Sequence, residues 1–156
     1  MVSVGVSALG QTGFHFVDQG AKVNGQYYRD ILLVRDLLPD IKESSDYFTF
    51  QQDGRSPSAS GSCTVELLKA VTPDFIPPNL WPSTSPDSNP VDYKIWGILQ
   101  ERVYRTKVKD VSDLKQRNVN EWDKLHQSVF NRAIGQWRKR LRACVAAARG
   151  HFECKM

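Results

Sequence analysis

Cysteine is scarce in this 156-residue chain, and Cys63, Cys144 and Cys154 form an odd set without metal-ligand spacing. That excludes a disulfide framework and fits reduced thiols. Histidine is as rare: His15, His126 and His151 lie far apart and pair with no cysteine motif, so a zinc module is excluded as well. Long apolar runs are missing, and no segment is expected to span a bilayer. Met1 is followed by Val-Ser-Val-Gly-Val rather than by a basic stretch, so no secretory signal is expected. Acid is scarce at one end only: from 130 to 156 Glu153 is the sole acidic residue, against seven Lys and Arg.

What is there suits one folded domain. Hydrophobic residues make up 40% and charged residues 24%, a balance that disordered chains lack. A chain of this length buries roughly 70% of its extended surface on folding. Net charge is +4, unevenly placed: residues 1–78 balance at −3 and residues 79–156 at +7. A basic end points to a polyanionic partner, since Lys and Arg gain affinity by releasing the counterions condensed on phosphates. It fits a solvated helix face equally well.

Along the chain, Val2 to Val6 alternates as a half-buried strand does, and Phe14 to Val17 follows as a second. Gly10 to Gly13 supplies turn chemistry between them, making a hairpin with a four-residue loop. Asp18-Gln19-Gly20 breaks the second strand. From Val23 to Ile41 the spacing of Tyr27, Ile31, Val34, Leu38 and Ile41 predicts a helix, capped by Asn24 and ended or kinked at Pro39. Tyr47 to Gln51 reads as a central strand closing on Gln52-Asp53-Gly54. A Ser/Pro/Gly loop (55–62), a short helix (64–71) and a short strand (74–76) come next. Trp81 to Pro90 is too rich in proline for regular structure. Pro90, capped by Asn89, opens a helix that buries Ile95, Ile98, Leu99 and Val103. Two more follow, about 112–125 with Leu114, Val119 and Trp122, and about 128–148 with a stripe of Ile134, Trp137, Leu141 and Val145 that stops at Gly150. Trp81, Trp96, Trp122 and Trp137 are candidate base-stacking faces, though helical spacing favours a place in the core for the last three. His15 reads as a sheet-surface residue, and Tyr93 as either a packing residue or one that approaches a substrate beside Asp92.

Two carboxylates stand out. Asp53 ends a strand and Asp92 opens a helix, with 38 residues between them. Brought to one sheet edge they repel, and such a pair takes a cation or a proton; hard oxygen ligands suit Mg²⁺ or Mn²⁺. Spacing alone equally allows Asp53 to start a glycine turn and Asp92 to offset a helix dipole.

The local strings weigh on this choice. Phe50-Gln51-Gln52-Asp53-Gly54, Trp81-Pro82, and Ser85-Pro86-Asp87-Ser88-Asn89-Pro90-Val91-Asp92-Tyr93 with Trp96 closely resemble the catalytic domain of mariner-like transposases. Leu99 to Tyr104 and Trp137-Arg138-Lys139-Arg140-Leu141 resemble the end of such domains. The resemblance implies a ribonuclease-H-like α/β fold, a mixed sheet flanked by helices, with an acidic triad and two divalent metals, Mg²⁺ or Mn²⁺. It makes Asp53 the second metal-binding, catalytic acid and Asp92 the third, and gives Asp87 to the Pro-rich turn. Departures accompany it. The family's first acid lies on a strand before the one that opens this chain, so residues 1–156 are expected to form an incomplete catalytic domain lacking its first strand, without the N-terminal helix-turn-helix domain. Loss of a central strand would leave its neighbours with open edges. The Ala-Pro-Ala-His usual after the second acid is replaced by Arg55-Ser56-Pro57-Ser58.

Three functions follow as expectations. The first is a fragment of a DNA transposase catalytic domain that retains nucleic-acid binding and does not transpose alone. The second is a non-catalytic nuclear DNA-binding remnant, or one that pairs with a full-length transposase or with itself. The third is a decayed gene product without a role. Arg138, Lys139, Arg140 and Arg142 are the candidate phosphate contacts or nuclear import signal. DNA is the expected partner, with no membrane and no small-molecule substrate, and the resemblance implies the nucleus.

Overall fold

The computed structural model describes residues 1–52, 61–80 and 88–146. They divide into two compact units: residues 1–5, 11–52 and 61–80 in one, 6–10 and 88–146 in the other.

The described residues of the first unit hold four short strands. β1 (Val2–Ser3) pairs antiparallel with β2 (His15–Phe16), Val2 facing Phe16. Gly20 follows at a φ of 80°, the left-handed turn conformation that glycine adopts without steric cost. Helical winding then runs without a break from 25 to 44, here called α1. Asn24 caps it, its side chain accepting the Tyr27 N–H at 2.8 Å. β3 (Thr49–Gln51) leads through helix α2 (Ser62–Val71) to β4 (Asp74–Ile76), which lies parallel to β3 with Phe50 facing Phe75. A parallel pair needs such a crossover, because a hairpin turn cannot reverse the chain twice. Among the described residues the mixed sheet is thus present as two two-stranded pieces. β3, read from the sequence as central, pairs with β4 alone among the described residues.

The middle of α1, Tyr28–Leu37, is wound with i→i+5 hydrogen bonds; Leu38 N–H donates to Leu33 O. That winding moves the buried stripe. Leu32 and Leu37, and Leu33 and Leu38, lie five apart and are buried, whereas Val34, placed inward by ordinary helical spacing, is 47% exposed. It also lets Pro39 through: the proline falls at the start of the next α-helical stretch, Leu38–Ser44, where a missing N–H costs little. The helix neither ends nor breaks there. Leu33, Leu37, Leu38, Phe50 and Leu68 form the core of this unit, with Tyr28, Ile41, Phe48, Val71 and Phe75 packed around it. His15, expected on the sheet surface, is tied to α1: its Nε2 lies 2.9 Å from Asp40 Oδ2, which also accepts the Gly13 N–H at 2.8 Å.

In the second unit the reversal that the sequence suggested at Gly10–Gly13 is made over Ser7–Gly10. The Ser7 N–H donates to Gly10 O at 2.8 Å, and Ser7 Oγ accepts from the Leu9 and Gly10 N–H groups. Three helices complete it. α3 (91–103) begins with an i→i+5 turn, Val91–Ile95, and continues as Trp96–Val103; α4 is Val111–Asp123 and α5 Gln127–Ala146. Ile95, Leu99, Val103, Trp122, Phe130, Ala133 and Cys144 are buried, with the Trp122 and Phe130 rings 5.8 Å apart. Trp96, Ile98, Ile134, Trp137 and Leu141 are half-buried. Val145 is 76% exposed, so the expected apolar stripe ends before it. Arg117 on α4 holds the loop from α3: it donates to the carbonyls of Val103, Thr106 and Lys107 and pairs with Asp113 at 2.8 Å. That pairing, with the Lys109 N–H behind it, holds the Asp113 carboxyl below its ordinary pKa.

Leu33→Ala should cost about 2–5 kcal/mol in urea denaturation, and Val34→Ala within about 0.5 kcal/mol. Equal losses would show that the inward stripe follows ordinary helical spacing after all.

Candidate functional site

The chemistry-bearing part of the second unit starts at the first turn of α3. Ser88 is fully buried there. Asn89 caps the turn as its position before Pro90 suggests: Oδ1 accepts the Val91 N–H at 3.1 Å, and its carbonyl accepts the Asp92 and Tyr93 N–H groups at 3.0 and 3.1 Å. Asp92 is thereby set, half-buried, in the first turn, where the helix dipole favours a carboxylate. The Trp96 N–H donates back to Val91 O, the i→i+5 bond that widens this turn.

Tyr93 resolves as a packing residue. Its Oη donates to the carbonyl of Ala133 on α5, and the Arg140 guanidinium lies over its ring, 4.0 Å from the centroid. Burial pushes the phenol pKa above its ordinary value, and the Arg140 charge partly offsets this. The acid-bearing turn is so fastened to the middle of α5 by a hydrogen bond and a cation–π contact.

α5 itself carries no acidic residue from Gln127 to Ala146. Its cations are sorted by the packing. Arg138, Lys139 and Arg142 are exposed, as expected of phosphate contacts, but Arg140 is half-buried on Tyr93 and leaves that set. Arg132, which the sequence reading passed over, is exposed and falls on the same face. At 3.6 residues per turn the four exposed cations span an arc of about 120°. Arithmetic on helical angles was enough to include Arg132 and to set Arg140 about 80° outside the arc; the Tyr93 ring that holds Arg140 had no signal in the sequence.

Asp53, expected beside Asp92, lies outside the described residues, as do Trp81, Asp87, the 55–60 loop, Gly150 and all of 147–156. The strand before Asp53 is held at its end by Tyr28, whose hydroxyl donates to Gln52 Oε1, a contact the sequence did not signal. Among the described residues no group of three or more His, Cys, Asp or Glu could hold a metal ion, and Asp92 alone does not fit one. No helix among them is long and apolar enough to cross a membrane.

No family sequence model and no curated protein sequence matches the chain. Solved structures do. The chain has the fold of a ribonuclease-H-like transposase catalytic domain, in agreement with the resemblance read from its motifs. Its counterparts are structures of the Mos1 mariner transposase. One, the catalytic domain with raltegravir and Mn, superposes with a TM-score of 0.77 at 17% identity over 97% of this chain and 76% of that one. Another, the catalytic domain by itself, gives 0.76 at 19% identity, covering 97% and 75%. The Mos1 paired-end complex with the left transposon end gives 0.74 at 20% identity, covering 94% of this chain and 42% of that one.

Tyr93→Phe should lower stability by about 1 kcal/mol, because the Ala133 carbonyl loses its donor. It should also change the alkaline limb. A proton held more tightly in the fold than in the unfolded chain contributes stability that is whole below tyrosine's ordinary value of 10.0 and lost as pH climbs through the raised one. Denaturation at pH 8 and pH 11 should show that loss shrinking in Tyr93→Phe; an identical loss would assign it to other groups.

Proposed function

We propose that this chain is a transposase-related polypeptide that holds DNA through the outward face of α5 and does not transfer strands by itself. The observation that carries the reading is the sorting of cations on α5: Arg132, Arg138, Lys139 and Arg142 outward on one acid-free face, Arg140 inward on Tyr93. A row of cations without interleaved acids suits a phosphate backbone, which it neutralises with release of counterions. Contacts of this kind position a duplex without reading it, so binding should be blind to sequence. The fold shared with Mos1, which has been solved with transposon ends, supports DNA as the polyanion concerned.

Asp53 and Asp92 are assigned to a divalent cation, Mg²⁺ or Mn²⁺, and Mos1 has been solved with both metals. Two carboxylates, with waters and phosphate oxygens, suffice to bind Mg²⁺. In-line transfer through two ions needs both held in place. The matching strings of this chain supply two of the three acids that the resemblance calls for. Nuclear residence, and pairing with itself or with a full-length transposase, belong to the same proposal.

The test is the salt dependence of duplex binding, followed by fluorescence anisotropy. Affinity should fall by about 0.9 log unit per tenfold salt for each phosphate neutralised. Changing Arg132, Arg138, Lys139 and Arg142 to Gln together should flatten the slope by up to about 4 of these increments. Arg140→Gln should leave it unchanged. A slope indifferent to the four, or one that falls with Arg140→Gln, would reject this face.

A further inference from the structure

We propose that the loop between α3 and α4 is a site for single-stranded nucleic acid, where Tyr104 stacks on an unpaired base and Arg105, Lys107 and Lys109 meet the phosphates beside it. From 102 to 109 the chain carries Arg102, Arg105, Lys107 and Lys109 and no acid. Tyr104 stands among them, 61% exposed. Arg105, Lys107 and Lys109 are exposed as well. Cations around an open aromatic ring are the recurring parts of single-strand sites: the charges follow the backbone, and the ring takes the face that every base has. A duplex keeps those faces stacked on one another, so an outstanding ring finds a partner only on an unpaired base.

Arg117 turns this charge run into a fixed frame. Its Nη1 donates to Val103 O at 3.3 Å, Thr106 O at 2.9 Å and Thr106 Oγ1 at 2.7 Å, and its Nη2 to Lys107 O at 3.0 Å. With three carbonyls drawn in on one guanidinium, the backbone curls around it and the exposed side chains stand outside the curl. Asp113 holds the far end, accepting the Lys109 N–H at 2.9 Å while it pairs with Arg117. The other acids nearby are engaged too. Asp110 caps α4 by accepting the Asp113 N–H at 2.8 Å. Glu121 pairs with Lys124 at 2.9 Å, which holds its carboxyl below the ordinary pKa, with Arg102 and Arg105 adding to the effect. Arg105, Lys107 and Lys109 enter no ion pair among the described residues. A loop already ordered from within binds without the cost of being ordered by its ligand. The exposed positions of α5, by contrast, include no aromatic residue from Gln127 to Ala146. That helix suits a duplex backbone and the loop an unpaired strand, so the two contacts differ in ligand.

The probe is an oligo-dT of about 12 nucleotides with a central 2-aminopurine, titrated with the full chain and followed by anisotropy and by the emission of the reporter base. Binding should quench that emission as the base stacks. Tyr104→Ala should weaken binding about tenfold and abolish the quench, whereas Tyr104→Phe, which keeps the ring, should stay within about twofold. Lys107→Gln with Lys109→Gln should flatten the salt slope by about 1.4 log units per tenfold salt, about 0.7 for each phosphate of a single strand. Changing Arg132, Arg138, Lys139 and Arg142 to Gln should leave the quench in place. An oligo-dT that is not bound, or that Tyr104→Ala holds as tightly, would overturn the proposal. So would a quench lost with the α5 cations, a duplex weakened as much by Tyr104→Ala, or poly-glutamate bound as tightly as the oligonucleotide. Failure on α5 shows in the duplex titrations and failure here in those with oligo-dT, so either reading can fall alone.

Discussion

One phenol fixes the relation on which the candidate site depends. Tyr93 follows Asp92 in the widened first turn of α3, and its hydroxyl reaches the Ala133 carbonyl in the middle of α5. A carbonyl inside a helix already accepts one intrahelical bond, and its second lone pair is what Tyr93 uses. The contact settles which way the turn is rotated against α5 and so which side of α5 is inside. The rest of the arrangement follows. With Ala133 and Cys144 inward and Arg140 drawn over the Tyr93 ring, the opposite side of the helix is left to Arg132, Arg138, Lys139 and Arg142.

Arg140 shows why charge counts are a weak guide to interfaces. A guanidinium is planar and weakly hydrated, so it stacks on an aromatic face as readily as it meets a phosphate. In the string Arg138-Lys139-Arg140-x-Arg142 all four cations look alike. On the helix three face outward and one becomes part of the packing. Arg117 is a second case: a cation in a basic half of the chain whose donors are taken up by the loop carbonyls between α3 and α4.

The sequence made legible those features that rest on local chemistry. Asn24 and Asn89 cap their helices as their positions ahead of the periodic run from Tyr27 and of Pro90 suggest, and β4 and the three C-terminal helices fall close to the expected boundaries. The motifs around Asp53 and Asp92 pointed to the fold that the Mos1 structures share. What escaped depends on winding and on distant partners. An i→i+5 stretch cannot be told from an α-helix by composition, so Val34 was expected where Leu33 lies, and Pro39 was expected to end or kink a helix whose winding continues through it. His15 met Asp40, and Tyr28 met Gln52, across about 25 residues that no periodicity links. The hairpin turn fell three residues early, because Ser7 Oγ collects the N–H groups of Leu9 and Gly10 and closes the reversal there.

The central claim is that this chain holds DNA without cutting it, and one gel tests both halves. Supercoiled plasmid is incubated with the full chain in Mn²⁺, the metal that tolerates looser geometry, beside an Asp53→Asn, Asp92→Asn double variant. Half of each sample is run native and half after the protein is removed. The account predicts a retarded plasmid in the native lanes for both proteins and, after deproteinisation, supercoiled DNA with the same background of nicks. Nicking by the chain that vanishes in the double variant, or a plasmid that neither protein retards, would contradict it.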